Sequence, residues 1–438
     1  MKRNVFMFIG GVIAVYIAVF MMLCPRNGML KNFYKLENES IDVLFLGSSN
    51  AYSNINPAII YKESGLKSYL LCGSGQSLWN SYYFLKEAYK TQSPDVVVLE
   101  VFTAASYDYG YDELSNLPAD IFSMKNSVNK YEMFKAAVQP KDRVTMISGI
   151  SVFHNRWVEI FDGKLKPWQF DEKYGAMEMG FCPVYFFEKK ECPDFNETIM
   201  NDIPQKNEEY LINIINLAQE HNSKVILVKT PYVLGEYYDG IYNSVGELAK
   251  KYNVPFINMN QKKDDLNFDY DSDMADTVHL NNSGVEKVSI YLAKYLKQYQ
   301  YKEKIGDSIW KTYQQKFEHT KFMSPSYSRT IELLSIDNVD MEQIDESFYI
   351  WQIPIEVKKN TFYRIDVDTK EKGVCGTIDI MAEGYDNMAQ KRRIMLNDNS
   401  YTIIQTDSLS PDKCYIRIYG QSKFDISKVI ISELEIEE

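Results

Sequence analysis

Positive charge is scarce in this chain. Its 438 residues carry 48 Lys and Arg against 60 Asp and Glu, a formal net charge of −12. Phosphate binding needs a basic footprint, so nucleic acid is excluded as the main partner. Cysteine is sparse too: there are six, and none has zinc-ligand spacing. Cys182 with Cys192 and Cys375 with Cys414 are local pairs that would suit an oxidising exterior, although spacing leaves connectivity open. Asp269-x-Asp271-x-Asp273 begins like a calcium loop, but Met274 replaces its glycine and Leu280 its terminal carboxylate. No metal or cofactor is therefore expected. Low-complexity tracts and internal repeats are absent as well, and histidine occurs only four times.

What is present reads as a folded protein, 45% hydrophobic, with 33 Tyr and 23 Phe whose broad surfaces suit cores and carbohydrate stacking alike. The length calls for two domains plus accessory segments. After Lys2 and Arg3, residues 5–23 form an uncharged apolar run. At about 1.5 Å per residue, a helix of that length nearly matches a hydrocarbon core of about 30 Å. Leu23-Cys24-Pro25 offers neither the small residues of a signal cleavage site nor the small residue that precedes a lipidated cysteine. Residues 1–26 are therefore expected to be an uncleaved transmembrane anchor, with the bulk of the chain extracytoplasmic. Arg26, Lys31 and Lys35 offset the N-terminal charges in a positive-inside count, yet a large downstream domain translocates regardless.

Residues 27–40 read as a polar tether. From 41 to 299 the pattern alternates as in a doubly wound α/β sheet: strands at 41–47, 68–71, 95–101, 224–230 and 255–259, with helices at 57–64, 78–90, 208–221, 244–252 and 283–299. Strands so apolar throughout imply a sheet covered on both faces. Residues 103–205 form an insertion too long for an ordinary loop, with helical signals at 129–138 and 143–156. It leaves from the carboxyl end of strand three, either as a lid or as a packing subdomain. A helical connector at 300–325 leads to 326–438, where short alternating segments predict a β-sandwich. Its Trp351, Tyr363, Tyr415 and Tyr419 are sugar-stacking candidates or core residues.

Two stretches carry the chemistry. Ile41-Asp42-Val43-Leu44-Phe45-Leu46 stops abruptly at Gly47-Ser48-Ser49-Asn50, as a buried strand does when it presents a side chain at the carboxyl edge of a sheet. A serine there is either a nucleophile or a helix cap. Far downstream, Asp276-x-x-His279-Leu280-Asn281 places an imidazole three residues after a carboxylate, just before the last helix of that domain. A serine hydroxyl needs a base, and the base needs an acceptor to fix its tautomer; this pair supplies both from one loop.

Together with Ser74-Gly75-Gln76-Ser77 after the second strand, these motifs resemble the SGNH (GDSL-type) hydrolases over 41–299. The resemblance implies a flavodoxin-like three-layer α/β/α domain. It implies Ser49 as nucleophile, His279 as base, Asp276 as its partner, and the amides of Ser49 and Gly75 as an oxyanion hole. Ser48 is the alternative nucleophile, although the family's Gly-x-Ser spacing selects Ser49. The family's third block carries an Asn that is missing from Val98-Leu99-Glu100-Val101-Phe102-Thr103. The whole architecture is similar to membrane-anchored proteins that add or remove O-acetyl groups on bacterial exopolysaccharides, or that help load D-alanine onto teichoic acid. That implies an acylated glycan or acyl donor as substrate and a multi-spanning membrane acyltransferase as partner. It also implies a jelly-roll-like carbohydrate-binding role for 326–438. The competing class is a non-catalytic glycan-binding or assembly protein on the same scaffold.

Overall fold

The structure, a computed structural model, describes residues 2–23, 27–106, 117–148, 178–184, 190–320, 327–345, 348–358, 361–370, 374–382, 390–396, 400–406, 413–420 and 423–436. The chain divides into two compact units. One holds Met1–Cys182, Pro193–Asn267 and Glu286–Trp310; the other holds Pro183–Cys192, Phe268–Val285 and Lys311–Glu438.

The first unit is built on a parallel sheet of β1 (Val43–Gly47), β2 (Ser68–Cys72), β3 (Val96–Glu100), β4 (Lys224–Lys229) and β5 (Phe256–Asn258). The strand order is β2-β1-β3-β4-β5, with the chain reversing direction of growth beside β1. β1, β2 and β3 are buried along their whole length, as unbroken Val/Leu runs require of a sheet covered on both faces. Helices follow the strands. Pro57 opens the helix Pro57–Ser64, where its missing N–H costs nothing, and Asn56 caps it by accepting from the Ala58 N–H at 2.8 Å. Gly65, at φ 76°, ends that helix in the left-handed region. Ser77 caps Leu78–Ala88, and the longer helices Gln205–Glu220 and Glu236–Lys251 precede β4 and β5.

The expected polar tether is packed rather than loose. Asn27 caps a short helix, Gly28–Phe33, whose Met29, Leu30 and Phe33 are buried, and Tyr69 of β2 donates its hydroxyl to the Met29 carbonyl at 2.6 Å. Before it, Lys2–Leu23 is helical, with Phe6, Phe8 and Val15 exposed. Among the described residues no helix is long and apolar enough to cross a membrane; the side chains described there are those of 5–20 and Leu23. Of the insertion, the described parts form helices Leu117–Ser123, Val128–Ala137 and Arg143–Ser148. The lid reading covers 103–205, of which 107–116, 149–177 and 185–189 lie outside the described residues.

The second unit carries two antiparallel sheets. β7 (Glu342–Asp345), β8 (Phe348–Glu356), β10 (Val374–Ala382), β11 (Gln390–Leu396) and β13 (Lys413–Gly420) form one, in the order β11-β10-β13-β8-β7. β6 (Tyr327–Val339), β9 (Phe362–Thr369), β12 (Ser400–Gln405) and β14 (Ile426–Ile436) form the other, in the order β12-β9-β14-β6. Both bury alternate residues in one shared core, among them Ile365, Val367, Ile378, Ile416, Ile418 and Ile431. β6, β7 and β11 fall outside the alternating segments read in the sequence at 348–357, 361–367, 376–382, 401–406, 414–419 and 428–434. β6 mixes Arg329, Glu332 and Asp337 into its apolar run, and β11 opens on Gln390-Lys391-Arg392-Arg393, so neither shows a clean period of two.

This core settles part of the aromatic question. Tyr363 is buried within it and is a core residue, whereas Trp351 is half-buried against it and Tyr415 and Tyr419 stay half-buried on alternate positions of β13. The register also separates the expected cysteine pair. Cys414 lies opposite Ala382 on β10, whereas Cys375 lies seven positions away (382 − 375) and faces Met395. At about 3.3 Å per residue, that distance is far beyond disulfide reach. Cys72, Cys182, Cys192 and Cys414 are all thiols rather than disulfides.

Phe45 sits at the middle of β1, paired on both sides and 1% exposed. Phe45→Ala is expected to destabilise the first unit by about 3–5 kcal/mol. The measure is chemical denaturation followed by a probe confined to that unit; a loss below about 1 kcal/mol would place Phe45 outside the core.

Candidate active site

The carboxyl edge of the sheet is where the chain departs from regular structure. Gly47 ends β1 at φ 148°, a conformation that side chains oppose. Space opposes them as well, since a Cβ there would stand 3.0 Å from the Cβ atoms of Ala51 and Glu100. The turn it permits begins the short helix Ser49–Tyr52. Of the two serines, Ser48 takes the capping role. Ser48 is buried and caps this helix, accepting from the Asn50 N–H at 3.4 Å; Ser49 is half-buried at the first helical position.

β2 ends beside it, with Gly47 opposite Cys72 in register. The next loop turns through Gly75 at φ 61°, closed by the Gln76 N–H on the Gly73 carbonyl at 3.2 Å. The Gln76 side chain is held in turn by the Ser81 hydroxyl at 2.9 Å. The turns that carry Ser49 and Gly75 therefore leave neighbouring strands of one unit.

Asp276 and His279 belong to the second unit, and the structure brings them together. His279 Nδ1 lies 2.8 Å from Asp276 Oδ2, while Asp276 Oδ1 accepts from the backbone N–H groups of Val278 and His279, each at 2.8 Å. Met274 bridges Leu280 across the loop, and the Ala275 N–H donates to the His279 carbonyl at 2.8 Å. Asn281 accepts from the N–H groups of Ser283 and Gly284 at the start of the helix Asn282–Leu296. Burial pushes the Asp276 carboxyl up, but the His279 ring and the two amides outweigh it and hold the group below its ordinary value of 3.8. With Asp276 ionised, Nδ1 keeps the imidazole proton and Nε2 is the basic atom. Upstream, Asp269 caps the turn Tyr270–Asp273, and Asp273 accepts from the Asp269 N–H at 2.7 Å, so the calcium-like acidic run is a self-capped turn.

Two further clusters escaped the sequence reading. Asp120, buried in the middle of the helix Leu117–Ser123, accepts from Asn27 at 2.7 Å and Asn80 at 3.4 Å and presses against the α-carbon of Gly73. It lines a small pocket with Tyr52, Cys72, Gly73 and Ser74. Burial raises its pKa to about 7, with the two asparagine amides opposing. The second cluster is an ion pair between Lys229 and Glu100, 3.0 Å apart and fully buried. Burial pushes the Lys229 ammonium down, and Glu100 opposes that shift. A lysine ending β4 and a glutamate ending β3 read in sequence as ordinary strand-edge charges. Only the sheet order puts them on neighbouring strands.

No family model matches the chain, and no curated protein matches it. Solved structures give distant likenesses. A mutant acetyl-xylooligosaccharide esterase from Geobacillus is 11% identical, with TM-score 0.31, covering 61% of this chain and all 100% of that one. A carbohydrate-binding module solved with β-1,4-galactotriose is 10% identical, with TM-score 0.17, covering 28% of this chain and 97% of its own. A tail fibre protein from an E. coli phage is 8% identical, with TM-score 0.27, covering 93% of this chain and 49% of its own. The functional reading rests on the chain's own geometry.

The raised Asp120 pKa has a consequence for stability. A carboxyl raised from 3.8 to about 7 favours the fold below pH 3.8, and that contribution disappears as pH climbs through about 7. Wild type should therefore lose stability relative to Asp120→Asn between pH 4 and 7, by up to about 1.4 kcal/mol per pH unit, and the difference should then level off. Denaturation of both proteins across that range checks this; a difference independent of pH would contradict it.

Proposed function

We propose that the chain is a membrane-anchored, extracytoplasmic serine acyltransferase or esterase of the SGNH kind. Its substrates would be O-acyl groups of a bacterial cell-surface polysaccharide, handled through an acyl-serine intermediate. The observation that carries this reading is the Asp276–His279 pair, a carboxylate held by two amides and aimed at Nδ1. Such an arrangement has a clear chemical use: it fixes an imidazole tautomer for general-base work and steadies the imidazolium that follows.

In the reaction, Ser49 Oγ attacks the ester carbonyl while His279 Nε2 takes its proton. The amides of Ser49 and Gly75 stabilise the oxyanion. The tetrahedral species collapses, the C–O bond to the leaving alcohol breaks, and His279 returns the proton to that oxygen. Water or a sugar hydroxyl, deprotonated by His279, then attacks acyl-Ser49; the C–O bond to Ser49 Oγ breaks, His279 returns the proton to that oxygen, and acid or acylated glycan leaves. No oxidant, metal or cofactor enters this balance.

Transfer is placed ahead of hydrolysis. The segment after β3, where the resemblance implies an Asn donor, carries Phe102 and Thr103 in a 3₁₀ turn. Loss of one oxyanion donor typically costs about 100- to 1,000-fold in rate. A site so weakened suits one delivered donor better than fast, general ester hydrolysis. The exposed apolar side chains of Lys2–Leu23 support anchoring at the membrane, where a multi-spanning acyltransferase would supply the acyl group. On the second unit, Tyr415 and Tyr419 alternate with buried Cys414, Ile416 and Ile418, and Tyr401 is exposed under the Arg364 guanidinium, 4.0 Å from its ring. Such aromatics support glycan binding. The same Phe102 also favours a second reading, a glycan-binding or assembly protein without catalysis on the same scaffold; a teichoic acid D-alanylation factor is the other alternative.

Fluorophosphonate labelling separates the two. Ser49 should be modified in wild type, Ser49→Ala and His279→Ala should lose labelling, and Asp276→Asn should slow it by orders of magnitude without unfolding the chain. Purified protein given an acyl ester should then form acyl-glycan when glycan is present. Equal labelling of wild type and Ser49→Ala would remove the catalytic reading; free acid as the dominant product with glycan present would make the protein an esterase.

A further inference from the structure

The Lys229–Glu100 pair plays no part in the acyl chemistry, yet it is wired into the turn that carries Ser49. Lys229 is 0% exposed and has three N–H donors to place. They reach Glu100 Oε1 at 3.0 Å, the Thr230 carbonyl at 3.1 Å and Asn50 Oδ1 at 3.1 Å. The rings of Phe102, Tyr232 and Tyr242 surround the ammonium at 5.1–5.7 Å, an arrangement that favours a cation. Glu100 spends its other oxygen on the Phe102 N–H at 3.1 Å, and Tyr242 donates to the Phe102 carbonyl at 3.1 Å.

Asn50 is the residue after Ser49 and is fully buried. Its Nδ2 has no hydrogen-bond partner among the described residues. A lysine only donates, so the atom that faces it must be the amide oxygen, and this one contact fixes the Asn50 side chain. Four residues on, Asn54 Nδ2 donates to Thr230 Oγ1 at 2.9 Å. Both ends of the Ser49–Tyr52 helix are thereby tied to the consecutive pair Lys229–Thr230. From the other side, Gly47 lies against the Cβ of Glu100.

We propose that Lys229 is a positioning residue for the nucleophile: through Asn50 it clamps the Ser49 turn to the end of β4, with Glu100 and the three rings holding the ammonium in place. This assignment rests on the acyl-serine reading. It also gives the segment after β3 a task, because Phe102 builds the cage where an oxyanion asparagine would otherwise stand. Catalysis is sensitive to such placement, since a 1 Å error in a reacting group costs about 100-fold.

The test is the rate of fluorophosphonate labelling in the full chain, resolved into the inactivation rate and the reagent's apparent affinity, with thermal melting recorded alongside. Asn50→Leu removes the acceptor and keeps the volume; Asn50→Asp keeps an oxygen for Lys229. The inactivation rate should fall roughly 10- to 100-fold in folded Asn50→Leu with affinity nearly unchanged, and Asn50→Asp should recover most of it. If Asn50→Leu does not fold, Thr230→Val, which removes the Asn54–Thr230 hydrogen bond but keeps the ion pair, should still slow labelling several-fold. A purely structural role would lower the melting temperature while the folded fraction labels at the wild-type rate, and that result overturns the positioning role alone. A wild type that never labels overturns the acyl-serine reading and this role with it.

Discussion

One buried ion pair holds the working edge of the sheet together. Lys229 and Glu100 lie buried at the ends of adjacent strands, 0% and 1% exposed, and each charge there is compensated by the other. Removing one partner from such a pair typically costs about 3–5 kcal/mol, since the remaining charge is left buried and uncompensated. The consequences spread outward from it. Gly47 must be glycine because Glu100 fills the space a side chain would need, Asn50 is oriented by the ammonium, and Phe102 is turned to close the cage. The local conformation around Ser49 follows from a charge placed on β4, far away in sequence.

That distance explains which parts of the molecule could be read in advance. β1, β2 and β3 were legible because a strand buried on both faces is apolar without interruption, and Gly47 marked where the first one ends. The Asp276–His279 contact was legible because it is local: three residues within one loop fix its geometry. The Lys229–Glu100–Asn50 cluster joins three segments, and its charges follow from sheet order rather than from any motif. Asp120 was hidden for the same reason, being brought to Gly73 by an insertion helix with no periodic signature. The two-residue period of β9 and β13 was plain, whereas β6 carries charge at positions where alternation would put apolar groups.

The groups named in the proposed reaction are of different kinds, each belonging to its own unit. The first unit ends β1 in the turn that carries Ser49, beside the loop that turns through Gly75. The second offers a base already oriented by its carboxylate, and two antiparallel sheets whose core claims Tyr363 but leaves Tyr401 at the surface. The Asp276 carboxyl stays ionised through the neutral range because its hydrogen bonds outweigh its burial. Burial pushes the Asp120 carboxyl the other way, up to about 7, with fewer donors to oppose it. Equivalent side chains are thus shifted in opposite directions by their surroundings.

The central claim is that Ser49 becomes covalently acylated. The direct measurement is to mix purified protein with an activated acyl ester, quench in acid within seconds, and read the intact mass before mapping the modified peptide. A mass increase of one acyl group on the peptide containing Ser49, decaying faster when a glycan acceptor is added and absent from Ser49→Ala, is the predicted result. An unmodified protein that nonetheless turns over the ester, or an acyl group mapped to another residue, would contradict the account.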